Sequence, residues 1–263
     1  MTKSELPETA AGSDDAATGV GKRSPMVLGP WFFVALAVAV ILSGFLAYSA
    51  IRNRQLQEAP GSIRVTGIPV NVPTSTADLM GLSPVPHSIA PNFTLVDQQG
   101  KTLSLRSFRG RTVVLEFMDP HCTDICPIVS QEFVDAYHDL GKSASRVVFV
   151  AVNVNQYFTS VADMKSFSDE HRLNTIPSWH FFTGPPSALK TVWHNYDIAV
   201  EAPNPKADII HTSIVYFIGP NGRKQYVGVP MDDHTGKGTS YLPANQLASW
   251  GKGIALVAQS LIH

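Results

Sequence analysis

The chain has 263 residues, enough for one ordinary domain with additions. Its 20 Lys+Arg against 21 Asp+Glu leave it nearly neutral, which argues against a nucleic-acid partner. Charged residues make up 16%, below the roughly 25% of a typical soluble domain, so part of the chain must be unusually apolar.

That part lies near the start. Residues 1–25 form a polar tail with Glu5, Glu8, Asp14 and Asp15 against Lys3 in its first 20 positions. This is too acidic for a mitochondrial presequence and points to a bacterial membrane protein. Residues 26–51 are expected to form a transmembrane helix. WFFVALAVAVILSGFLAYSAI (31–51) is apolar almost throughout, and 21 residues cross a hydrocarbon core of about 30 Å. Trp31 and Tyr48 suit the two interfaces. The run exceeds a signal-peptide core, although Ala47-Tyr48-Ser49 resembles a cleavage site, which keeps a cleaved signal as the alternative. Lys22 and Arg23 before it and Arg52, Arg54 and Arg64 after it do not fix an orientation. Residues 52–86, rich in Pro, Gly, Ser and Thr, are expected to be an extended linker.

Residues 87–263 carry the pattern of a folded domain. FTLV and TLSL flank a polar QQGK turn, which predicts a hairpin. RTVVLEFMD (111–119) and RVVFVAVNV (146–154) read as buried strands. Between them Val129, Phe133, Tyr137 and Leu140 recur on one helical face, with Pro127 suited to the first turn. SVADMKSFSDEHRL (160–173) predicts a second helix with Ser160 as N-cap. SIVYFIGPNGRKQYVGV (213–229) predicts two strands about a PNG turn, and residues 245–262 a closing helix. Helices alternating with buried strands imply a mixed, partly parallel sheet covered on both faces, the α/β class to which a thioredoxin-like fold belongs.

Both cysteines fall in HCTDICP (121–127), where the first buried strand meets its helix. In open α/β sheets reactive groups gather at such junctions. Cys122 and Cys126 admit a structural disulfide, thiol–disulfide exchange, or a soft-metal site. For exchange, a helix N-terminus is expected to stabilise the Cys126 thiolate. A metal site needs a third ligand, and there are nine histidines. His87 lies in the linker, His263 at the terminus, His138 and His171 on helix faces, and His194 in a further helical stretch. His121 adjoins Cys122 but is poorly placed to share its ion, His180 suits packing, and His234 sits in a polar loop. His211, immediately before an apolar strand, stands apart, although taken alone a satisfied structural histidine is its first reading and a metal ligand the alternative.

HCTDICP, followed 85 residues after Cys126 by His211 in HTSIVYFIGPNG, resembles the Sco/SenC family of copper-binding proteins. FFTG (181–184) and GPNG (219–222) also match the family's pattern. The resemblance spans roughly residues 87–230 and implies a membrane-tethered thioredoxin-like domain. It implies that Cys122 and Cys126 are a redox pair and, with His211, ligands of copper as Cu(I) or Cu(II). The implied partner is the dinuclear copper site of a respiratory oxidase, reached on the outer face of a bacterial membrane. A copper carrier is the expected role, with a copper-independent thiol–disulfide oxidoreductase as the alternative. Two features depart from the family: NVNQYFTS (153–160) lacks its acidic, Pro-rich segment, and Ile210 stands where an aspartate is common.

Overall fold

The computed structural model describes Ser43, Gly44 and residues 66–262. Apart from Ser43 and Gly44, which are helical, the expected transmembrane segment lies outside the described residues, as does His263. Among the described residues no helix is long and apolar enough to cross a membrane. The chain divides into two compact units, residues 1–59 and 60–263, and the second holds the main sheet and both cysteines.

The supposed linker is the first correction. From residue 66 onward the chain is built into the domain. Helix α1 (Thr74–Leu79) buries Ala77, and Ile68, Val72, Met80 and Leu82 enter the core. Strand β1 (Ser83–Pro84) then pairs with the sheet edge. Pro84, with no N–H to offer, is tolerated there because an edge strand leaves one side unpaired. The Pro and Ser content that suggested an extended tether instead serves a short helix and an edge strand.

Strands β2 (Thr94–Val96) and β3 (Thr102–Ser104) form the expected hairpin. Its turn is closed by Asp97, whose Oδ1 accepts from the Gln99 and Lys101 N–H groups, each at 2.9 Å. Its Oδ2 lies 3.0 Å from His180 Nδ1, so His180 has the structural role anticipated for it. Strand β4 (Thr112–Met118) is buried from end to end. Helix α2 (Ile125–Leu140) follows, then β5 (Val147–Asn153), parallel to β4. Helix α3 (Val161–Glu170) starts at Ser160, whose Oγ accepts from Asp163 N while Asp163 accepts from Ser160 N, a reciprocal cap.

Strand β6 (Trp179–Phe182) extends the parallel run and leads into α4 (Pro186–Asn195). A small ribbon, β7 (Val200–Glu201) with β8 (Ile210–His211), precedes β9 (Val215–Ile218) and β10 (Lys224–Gly228). Gly222, at φ 71°, makes the PNG turn between these last two. The hairpin β11 (Asp233–His234) and β12 (Ser240–Tyr241) leads to the closing helix α5 (Ala244–Ser260).

The main sheet has the order β1-β10-β9-β4-β5-β6. Alternation along β4 divides the core in two. Val114 and Met118 face one layer with Phe133, Phe149, Trp179 and Trp250. Val113, Leu115 and Phe117 face the other with Phe182, Trp193 and Tyr196. Helices α2 and α5 press together at Gly251. A Cβ there would stand 2.7 Å from Asp135 Cβ and 3.3 Å from the Glu132 carbonyl oxygen.

Gly251→Ala is therefore expected to destabilise the domain. Overpacking costs about 1–3 kcal/mol, and with a backbone carbonyl as obstacle it exceeds the roughly 1 kcal/mol of helix propensity gained. A lower urea midpoint at unchanged slope checks this.

Candidate metal and thiol site

The site lies where β4 ends. The Cys122 N–H donates to the Asp119 carbonyl at 3.1 Å, turning the chain from strand toward helix. Asp119 Oδ1 accepts from the His121 N–H at 2.9 Å and from Asn155 Nδ2 at 3.0 Å, which fixes the turn to the loop after β5. Asn155 comes from the NVNQYFTS segment that lacks the family's acids. His121 turns away from the cysteines: its ring packs on Phe158 at 4.0 Å, and Nε2 lies 3.6 Å from Asp163.

Both cysteines are free thiols. The Cys126 N–H donates to Cys122 Sγ at 3.4 Å. Their surroundings drive them apart. Cys122, partly exposed, falls from its ordinary value near 9 to about 7, chiefly because the Cys126 thiol hydrogen-bonds to its sulfur, with help from the Cys126 and Asp124 backbone. Cys126 is buried, and it rises because it is the donor of that bond and because burial disfavours its thiolate. This reverses the expectation that Cys126 would be the activated thiol. Cys126 lies inside the first turn of α2 rather than before it. There desolvation and the neighbouring sulfur outweigh any help from the helix terminus.

His211 reaches the same region because β9 runs antiparallel to β4, with Leu115 opposite Tyr216. The residues before β9 therefore lie beside the end of β4. The His211 Nδ1–H donates to the Thr212 carbonyl at 3.0 Å, which leaves Nε2 as the free lone pair. Burial is the largest influence on His211 and lowers its pKa, favouring neutral imidazole. Asp119 acts electrostatically on both His211 and Cys122. Two thiols and a neutral imidazole are a donor set suited to a soft or borderline ion. Among the described residues, the set whose ligand atoms all lie within 4.8 Å of one another is Asp124, Asp232 and His234, so Cys122, Cys126 and His211 form a wider triangle.

The sequence did not single out two buried carboxyls behind the thiols. Glu116 projects from β4 on the α2 side, next to Met118 in the strand. Its Oε1 accepts from Ser213 Oγ at 3.1 Å, its Oε2 has no partner, and burial pushes it from 4.5 to about 8. Glu132 on α2 is buried without a hydrogen bond to either oxygen, and burial and Glu116 both raise it. The signal for Glu116 was present: one acid in the otherwise apolar run VVLEFM.

A mixed sheet with paired thiols at a strand–helix junction defines a thioredoxin-like domain. A family model described as SCO1/SenC matches residues 83–235. This chain belongs to the SCO1/SenC family. A SCO1 protein homolog of Bacillus subtilis is 29% identical over 161 residues, which are 57% of this chain and 80% of that protein. Peroxiredoxin Q of Triticum aestivum is 36% identical over 86 residues, 33% of this chain and 37% of that protein. Bradyrhizobium japonicum ScoI, solved with copper bound, shares the fold with a TM-score of 0.51 at 22% identity, over 66% of this chain and 99% of its own.

The electrostatics have two measurable consequences. Cys126→Ala removes the donor that stabilises the Cys122 thiolate, so the Cys122 ionisation midpoint is expected to rise, as read by thiolate absorbance or alkylation rate against pH. Glu116 has a folded pKa above its unfolded value, so its contribution to stability is complete below about pH 4.5 and is lost as pH rises through about 8. Glu116→Gln should accordingly stabilise the protein more at pH 8 than at pH 5, in urea titrations at both pH values.

Proposed function

We propose that this protein carries copper on Cys122, Cys126 and His211, tethered to the outer face of a bacterial membrane by residues 26–51, and serves the dinuclear copper site of a respiratory oxidase. The observation that carries the proposal is the split thiol pair whose neighbour Asp119 also acts on a neutral His211, held in the β7–β8 ribbon. Copper is the cargo. A Cys122 thiol near pH 7 offers a thiolate at neutral pH, His211 offers the Nε2 lone pair, and Cys126 gives up its proton as the ion enters. The ScoI proteins of B. japonicum and Arabidopsis thaliana, both solved with copper bound, support copper as the cargo. A SCO1/SenC family lipoprotein of Bacillus anthracis, with a TM-score of 0.50, supports attachment to a membrane surface.

The acidity split favours a second reading, a thiol–disulfide oxidoreductase that keeps the acceptor's cysteines reduced. Cys122 would attack the acceptor disulfide, and Cys126 would resolve the mixed disulfide. Peroxide chemistry is less well supported: Met118-Asp119-Pro120-His121 lacks the Pro-x-x-x-Thr run that precedes a peroxidatic cysteine, and the peroxiredoxin likeness covers a third of the chain.

The reduced full chain is expected to bind one Cu(I). Loss of outer-shell partners alone costs about 10–100-fold in metal affinity, so His211→Ala should cost at least that. Affinity unchanged in that variant would remove His211 from the site. Dithiol exchange that survives His211→Ala, in a chain that takes up no Cu(I), would favour the second reading.

A further inference from the structure

We propose that Asp124, Asp232 and His234 form a separate site for a borderline divalent cation such as Zn(II) or Cu(II), fastening the 233–241 hairpin to the loop between the two cysteines. Asp124 Oδ1 and Asp232 Oδ2 lie 3.9 and 3.7 Å from His234 Nε2, and the three ligand atoms all fall within 4.8 Å of one another. A tetrahedral ion with bonds of about 2.0–2.1 Å spaces its ligands about 3.3–3.5 Å apart, so each carboxylate closes on the imidazole by a few tenths of an ångström while the two carboxylates draw together. The donors converge from two segments far apart in sequence.

Three observations distinguish this cluster from solvated surface charge. Its donor set includes an imidazole as well as carboxylates. Asp232 Oδ2 is enclosed and has no hydrogen-bond partner. Asp124 stands at the N-cap of α2, where aspartate ordinarily accepts from the first-turn N–H groups, yet its side chain makes no such bond and its carboxylate meets the hairpin instead.

The chemistry selects the ion. One nitrogen and two carboxylate oxygens suit Zn(II) or Cu(II), whereas Cu(I) prefers the nearby thiolates. The site needs neither sulfur nor His211. Asp124 is two residues from each cysteine, so an ion held there restrains the loop that carries both thiols.

The test uses the full chain carrying Cys122→Ser and Cys126→Ser, dialysed to equilibrium against Zn(II) alone. That chain is expected to bind one more zinc ion than the same chain with His234→Ala or Asp232→Asn. Amide exchange across residues 233–241 is expected to slow with zinc and not to respond in the His234→Ala chain. Equal zinc stoichiometry with and without His234, or hairpin exchange indifferent to zinc, would overturn the proposal. The same comparison of His234→Ala against the unsubstituted chain, which keeps both cysteines, covers the case in which the serine variant misfolds. Failure of Cu(I) binding at the thiols would leave these outcomes untouched, so the two sites are judged separately.

Discussion

The antiparallel pairing of β9 with β4 is the constraint on which the site depends. Strand β4 delivers the cysteine loop at its C-terminal end, and β9 begins beside that end because the two run in opposite directions. Residues 211–214, remote in sequence, are thereby placed next to residues 116–119. The Ser213 hydroxyl on Glu116 and the shared influence of Asp119 on Cys122 and His211 are local records of that placement. A one-residue slip would turn alternate side chains of β9 to the opposite face and carry residues 211–214 out of place. The buried apolar faces of both strands hold the register.

Burial then divides the labour between the thiols. Cys122 is half-exposed at a turn and receives hydrogen bonds, while Cys126 sits in the core beside Val129 and Phe133 and donates one. An exposed thiolate with a buried, protonated partner can begin either a ligand exchange or an attack on a disulfide. In both proposed chemistries the second sulfur would engage after the first contact is made. Both chemistries draw on the same asymmetry, and the imidazole separates them, because exchange of disulfides has no use for a nitrogen ligand.

Much of this was legible in the sequence. The strands VVLEFM and VVFVAVN announced themselves as continuous apolar runs, and the helices by their spacing and by the Ser160 cap. The cysteines were found because nothing else in the chain competes with them. Other features were hidden for identifiable reasons. Residues 66–86 lack periodicity because a six-residue helix and a two-residue edge strand are too short to show any. Asp232 and His234 gain meaning from Asp124, more than a hundred positions earlier, and no local pattern links them. The acidity order of the cysteines followed from burial, which spacing does not report.

The acids around the thiols set opposing requirements. Asp119 raises the Cys122 pKa, and so resists the thiolate that a metal or a disulfide needs. The same negative charge attracts cations and strengthens them as guests once bound. Hydrogen bonds from Cys126 and from the backbone outweigh the repulsion, which is why Cys122 still falls to about 7. Glu116 adds to the repulsion on Cys126 as it ionises, and burial, by lifting it to about 8, keeps that repulsion small at neutral pH. Fully ionised, it sets a further negative charge against the already reluctant Cys126 from inside the core, so protonation of Glu116 at neutral pH leaves the second thiol better able to ionise when a ligand arrives.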